Sequence, residues 1–291
     1  MPASISIGAN VLQGPRLGTA RPVIAVAAEP RYVLQHQPAG ICMALERAGY
    51  TPLILDLDVP SRAPLEVIDL IIARGRAAPL LALLARAEGS GVRTINRCSA
   101  IAAVRDRASM ARKLMAGGLP TPATCCGTLA RIAEAFRENE YPLIIKPVYG
   151  DNLRGLRLVH SRAELLGCDF PETVAVAQRL VPSDGYDLKL YVIGGEVHAL
   201  RKPSPVTGDL SAEAEKVTVT PALRALALRC GLLFGLEIYG VNCVEMPAGP
   251  MVTEVKEFPD YSSIEGADDS LARYAIDRAR AHYERTRVKS G

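Results

Sequence analysis

The densest chemistry in the chain lies in the stretch Tyr141-Pro-Leu-Ile-Ile-Lys-Pro-Val-Tyr-Gly-Asp-Asn-Leu-Arg-Gly-Leu156. Leu143 to Ile145 form a short apolar run with two β-branched residues, which predicts a buried strand. Lys146 ends the run, so its ammonium can leave the strand and meet an anion. Gly150 and Gly155 bracket a polar loop that carries Asp151 and Asn152. Glycine lets backbone N–H groups approach an anion with no Cβ in the way. A lysine at a strand end facing such a loop suits a polyphosphate, although a β-hairpin with a surface lysine has the same pattern. The spacing is not that of a P-loop, because no Gly-Lys-Ser/Thr precedes a helix.

Other charged residues fall at strand spacing. Asp187 and Lys189 are two apart, as are Glu254 and Lys256, so on strands each pair shares a face. Arg201 closes the second strand of a hairpin that runs over 188–193 and 197–200 around Gly194-Gly195. Asn242 and Glu254 belong to two strands, 241–245 and 251–258, that flank Pro247-Ala-Gly-Pro250. A five-residue hairpin loop would set Asn242 opposite Lys256, and a four-residue loop would not.

These side chains need a scaffold. Strand runs at 22–28, 52–57, 70–73 and 92–95 alternate with helical patterns at 40–48 and 77–87, which predicts a small parallel α/β domain after a loose first 20 residues. Asp106 opens a helix that Gly117-Gly118 stops. Helices are also predicted over 132–137, 163–166 and 272–285, and a strand over 173–180. Pro221 opens another helix, which Gly231 is expected to interrupt. The polar connection from Lys202 to Lys216 is too long for a simple turn and reads as an active-site loop.

Composition narrows the function. A length of 291 residues allows two or three small domains. The net charge of +3 is too small to argue for a nucleic-acid surface, and with no Trp a stacking platform for single strands is disfavoured. Seven cysteines, an odd number with no Cys-x-x-Cys pair, argue against a zinc or disulfide framework and for a reducing cytoplasm. No apolar run reaches membrane-spanning length.

Taken in order, the pieces resemble an ATP-grasp protein, most closely the RimK-type carboxylate–amine ligases, over residues 21–285 and most strongly after Asn96. The motifs that carry the resemblance are Asn96-Arg-Cys-Ser-Ala-Ile101, Asp106-Arg107, Gly118-Leu-Pro-Thr-Pro122 and Ile145-Lys146-Pro147. They continue with Gln178-Arg-Leu-Val181, Asp187-Leu-Lys189, Val192-Ile-Gly-Gly-Glu-Val197, Tyr239-Gly-Val-Asn242 and Glu254-Val-Lys-Glu-Phe-Pro259.

The resemblance implies an α/β fold with an α+β ATP-grasp portion. The N-terminal parallel α/β domain would span 1–105, and two ATP-grasp subdomains 106–180 and 181–291. It further implies ATP and Mg²⁺ as cofactors. Lys146 and Arg107, which stands where a lysine is usual, would hold phosphates under the Gly150–Gly155 loop. Main-chain groups of Arg179 and Leu180 would read the adenine. Asp187 would accept from the ribose or orient Lys189. Arg201 would steady the transferring phosphoryl and acyl oxygens.

The implied metal positions are Asn242, Glu254 and Lys256, whose charges sum to zero. Glu254 would be the principal ligand of one Mg²⁺ rather than two. Lys256 either contacts the γ-phosphate in place of a metal or pairs with Glu254. The implied reaction joins a carboxylate to the amine of an amino acid or peptide through an acyl phosphate. The loops 202–216 and 260–265 and the N-terminal domain would select substrates. A kinase of the same fold, or a nucleotide-binding protein without turnover, is the alternative. No nucleic-acid or membrane partner is expected, and a homo-oligomer is left open.

Overall fold

Alternating apolar residues build the first sheet of the computed structural model, which describes residues 21–58, 63–150 and 155–290. Strands β1 (Ile24–Ala28), β2 (Leu53–Leu55), β3 (Leu70–Arg74) and β4 (Arg93–Ile95) are parallel, in the order β2-β1-β3-β4. Ile24, Val26, Leu70 and Ile72 point to one side, into a core shared with α1 (His36–Arg47) and α8 (Ala267–Ser290). Ala25, Ala27, Ile71 and Ala73 point to the other, against Leu80, Leu83, Leu84 and Ala87 of α2 (Ala78–Gly89). Each Leu or Ile so buried is worth roughly 1.5–3 kcal/mol of transfer free energy. The alternating strand and helix signals are therefore met by helices on both faces of a parallel sheet.

After α3 (Cys98–Arg105) and α4 (Arg107–Ala116) comes a second, antiparallel sheet. Its strands β5 (Thr124–Gly127), β6 (Leu143–Pro147), β7 (Arg157–Val159) and β8 (Ala175–Arg179) lie in the order β5-β8-β6-β7. Leu143 and Ile145 sink into a core with Ile132 of α5 (Leu129–Ala135) and Leu165 of α6 (Arg162–Leu166). Ile144 and Lys146, one residue out of phase, face the other way into a cavity.

The third sheet runs β11-β10-β9-β12-β13 and is antiparallel. Its strands are β9 (Tyr186–Ile193), β10 (Glu196–Pro203), β11 (Glu215–Val217), β12 (Ile238–Val244) and β13 (Met251–Lys256). Leu188, Leu190, Val192, Val241 and Cys243 pack beneath α7 (Pro221–Phe234). On the opposite face Tyr191 and Ile193 join the core of the first sheet, together with Leu271, Ala275 and Ala279 of α8. The last helix thus seals residues from the two ends of the chain into one core.

Several expectations are corrected. Helix α7 runs through Gly231 without a break. A Cβ at Gly231 would overlap the Tyr239 hydroxyl, which donates to the Ala227 carbonyl at 2.9 Å. This glycine serves close packing and does not end the helix, which stops instead at Gly235, φ +71°. Helix α3 and strands β5 and β11 add to the expected elements. Strand β10 continues to Pro203 and β11 begins at Glu215, so the long connection narrows to 204–214. The proposed loose segment over residues 1–20 lies outside the described residues. No helix among the described residues is long and apolar enough to cross a membrane.

Candidate active site

Two antiparallel sheets face each other across a cavity of about 360 Å³, within the size range of small-molecule sites. Lys146 reaches it from the end of β6 and donates to the Gln178 side-chain oxygen on β8 at 2.6 Å. Loss of water around the ammonium pushes its pKa down to about 8, with Glu254 opposing and Arg107 adding to the fall.

Arg107 enters from the first turn of α4. Asp106 caps that helix, its carboxylate accepting from the Ala108 and Ser109 N–H groups at 2.9 and 3.0 Å. The Arg107 N–H donates to Val148 O at 3.1 Å, so the helix start is tied to the end of the Lys146 strand. The residue is 5 % exposed, and its guanidinium bonds to Pro147 O at 3.1 Å and to Glu254 at 3.3 Å. Gly150 lies close by, and a Cβ there would overlap the guanidinium. Gly155 has φ +76°, and a Cβ would come within 2.7 Å of Pro147. Asp151 and Asn152 lie outside the described residues.

The third sheet supplies the floor. Lys189, Asn242 and Glu254 are register partners across β9, β12 and β13 and form one row. Asn242 therefore stands opposite Glu254, and Lys256 stands opposite Gly240. This corrects the conditional pairing of Asn242 with Lys256. The connection occupies 245–250 and the register shifts between Asn242 and Cys243, a bulge that sequence spacing does not reveal.

The Asn242 amide donates to Glu254 at 3.2 Å, Lys256 lies 3.6 Å from the same carboxylate, and Asp187 holds Lys189 at 2.8 Å. Desolvation alone would raise the Glu254 pKa. Lys256, Arg107, Lys146 and Arg76 outweigh it and hold the carboxyl far below the usual carboxylate range.

Arg179 and Leu180 line the cavity beside Val181. Their N–H groups are committed to Ala123 O at 3.1 Å and Pro142 O at 3.0 Å. Val181 and Gln178, read only as parts of a motif, are lining residues that sequence reasoning did not single out.

Arg201 does not join this group. It pairs in register with Leu188, which packs under α7, while Lys202 pairs with Asp187, which lines the cavity. Arg201 is thus on the far face of the sheet. It pairs there with Asp184, with Glu215 at 2.8 Å and with Glu245 at 3.3 Å, over the Tyr186 ring. One step along a strand exchanges faces.

Lys202 lines a second cavity of about 310 Å³, between the end of the first sheet and the third. Lys189, Asn242 and Lys256 border both cavities. Arg74 and Arg76, from the end of β3 and the turn after it, complete a lining of five cations against Glu257 and Asp260. Arg76 pairs with Glu257 at 3.0 Å. Arg74, 4 % exposed, bonds to the Gln37 carbonyl and the Gln35 side chain, and its buried Nε has no hydrogen-bond partner. Lys202 donates to Ser263 at 2.9 Å. Burial lowers the pKa of both Arg74 and Lys202, and Asp260 opposes the fall in each.

The donor chemistry bears on the Mg²⁺ that the resemblance implies. Glu254 offers carboxylate oxygens and Asn242 a carboxamide oxygen, whereas an ammonium such as Lys256 has no lone pair to give. Among the described residues no three His, Cys, Asp or Glu side chains gather as a metal group. The set fits a single ion completed by phosphate oxygens and water.

Residues 104–272 match the RimK-like ATP-grasp domain. A probable alpha-L-glutamate ligase of Legionella pneumophila (strain Corby) is 28 % identical over 221 residues, 70 % of this chain and 73 % of that relative. The crystal structure of a RimK domain ATP-grasp protein from Sphaerobacter thermophilus superposes with a TM-score of 0.71 at 23 % identity, covering 89 % of this chain and 99 % of that one. D-alanine–D-alanine ligase from Bacillus anthracis, solved in complex with ATP, superposes with a TM-score of 0.68 at 15 % identity, covering 91 % and 100 %. The cleft between two antiparallel sheets, the cations that line it and a matched segment of more than half its length agree: the chain belongs to the RimK-like ATP-grasp family.

Proposed function

We propose that this protein is an ATP-dependent carboxylate–amine ligase that forms an amide bond through an acyl phosphate and releases ADP and phosphate. The observation that carries the reading is the junction of the two cavities. The first is lined by Arg107, Lys146, Arg179, Lys189 and Lys256 against Asp187 and Glu254, an excess of positive charge suited to a triphosphate. The second opens beside it with cations that suit a carboxylate. In this reading the triphosphate lies along Lys146 and Arg107, with its γ-phosphoryl group toward Lys256. The base lies against Leu180 and Val181.

A carboxylate held by Arg74 and Lys202 attacks the γ-phosphorus, the bond from that phosphorus to the β–γ bridging oxygen breaks, and ADP leaves. The amine of an amino acid or peptide then attacks the acyl carbon, the carbon–oxygen bond to phosphate breaks, and the nitrogen sheds a proton. Positioning and charge stabilisation account for such chemistry, since negative charge spreads over the phosphoryl and acyl oxygens in the transition states. Glu254 and the Asn242 carboxamide oxygen would hold one Mg²⁺, which supplies further neutralisation at the phosphates.

The test is a screen of amino acids and small peptides, with carboxylate and amine partners in pairs, for ADP release and for product mass. A product heavier by the amine minus water supports the ligase. A phosphoester formed without an amine refutes it in favour of a kinase.

A further inference from the structure

Lys256 occupies an unusual place. It sits on β13 opposite Gly240, a residue with no side chain to share the space, and it borders both cavities. Lys189 and Asn242 border both as well, but Lys189 is bonded to Asp187 at 2.8 Å and Asn242 to Glu254 at 3.2 Å. The Lys256 ammonium lies 3.6 Å from Glu254, an ion pair longer than a hydrogen bond, which leaves its three N–H donors to a phosphate oxygen at the junction.

The surrounding charge points the same way. Glu254 is already met by Arg107 at 3.3 Å and by Lys256. A second divalent ion, on the Lys256 side of Glu254, would lie beside a fixed ammonium and be repelled by it. A lysine there supplies positive charge to the same phosphate oxygens with no ion to recruit.

The geometry points to Lys256 as a built-in replacement for a second divalent cation at the terminal phosphate, so that this cleft binds ATP with little dependence on Mg²⁺. The inference rests on the nucleotide site proposed above, but not on the identity of either substrate.

Calorimetric titration of the full chain with ATP, in excess Mg²⁺ and in EDTA, tests it. Wild-type affinity in EDTA is expected to stay within about tenfold of that in Mg²⁺. Lys256→Met is expected to lose at least about tenfold in EDTA and far less in Mg²⁺, because an ion can then enter beside Glu254. Lys256→Arg, which keeps the charge, is expected to retain binding in EDTA. Wild-type binding in Mg²⁺ with a larger loss in EDTA overturns the inference and leaves the ligase reading in place. An unchanged Lys256→Met affinity in EDTA overturns it too. Absence of ATP binding in both solutions overturns the nucleotide site itself. Should Lys256→Met fail to fold, as judged by circular dichroism, the wild-type ratio and the Lys256→Arg variant still decide.

Discussion

An ammonium with a pKa near 8 makes nucleotide binding sensitive to pH. Between about 8 and the ordinary lysine value of 10.5, Lys146 holds fewer protons in the folded chain than in the unfolded one. By linkage, its contribution makes folding stability rise with pH across that window. ATP needs the charged form, so affinity is expected to fall as pH rises above about 8. Proton uptake on binding, seen as a dependence of the binding heat on the buffer, is expected in the same range. Lys146→Met is expected to weaken binding and to flatten the profile, and a wild-type affinity constant across the window would contradict the role.

A second pair of variants separates neighbours on β10. Lys202→Met is expected to lower kcat/KM on the order of a hundredfold, as loss of a charge-stabilising donor does. Arg201→Ala is expected to leave turnover close to wild type and to change stability by less than about 1 kcal/mol, since its ion pairs are partly exposed. The reverse pattern in steady-state kinetics would return Arg201 to the site.

Among the elements, α7 shows how packing overrides propensity. Alanine in place of a mid-helix glycine ordinarily stabilises by about 1 kcal/mol. At Gly231 the added methyl would press on Tyr239, and overpacking costs roughly 1–3 kcal/mol. Gly231→Ala is therefore expected to be neutral to destabilising by about 2 kcal/mol. A Gly231→Ala, Tyr239→Phe double variant should recover part of the loss beyond additivity in urea denaturation. A stabilised single variant would show that Tyr239 moves aside freely. Strand β10 gives the companion lesson: the hairpin it belongs to is legible in the chain, but the face each residue takes depends on pairing with β9.

At the scale of the whole molecule, one buried asparagine joins the first sheet to the third. The Asn96 carboxamide accepts from the Glu237 and Ile238 N–H groups at 2.7 and 3.1 Å. It donates to the carbonyls of Ile238 and Glu257 at 2.6 and 2.5 Å. All four of its hydrogen-bonding positions are used, and it is 1 % exposed. Glu257 also holds Arg76, so the clasp sets the wall of the second cavity. Asn96→Ala leaves buried backbone groups without partners and is expected to cost about 3 kcal/mol in chemical denaturation. It is also expected to raise KM for the acyl substrate more than for ATP. A variant as stable as wild type would mean that water replaces the clasp.

Much of this was legible in the chain. The apolar runs at 22–28 and 143–145, the helical run at 77–87 and the order of charged motifs from Asn96 to Pro259 all follow from local patterning. They point to the family, because apolar runs and turn chemistry are properties of neighbouring residues. The site itself is not local. Arg107 and Glu254 meet at 3.3 Å although 147 positions separate them, and Asn96 finds partners beyond residue 236. Which way Arg201 and Lys202 point, and whether Asn242 faces Glu254 or Lys256, turned on strand register and one bulge. Sequence spacing tells which residues share a face. Only the packing of three sheets decided which face meets the cavity, because register is set by turns and by partners distant in the chain.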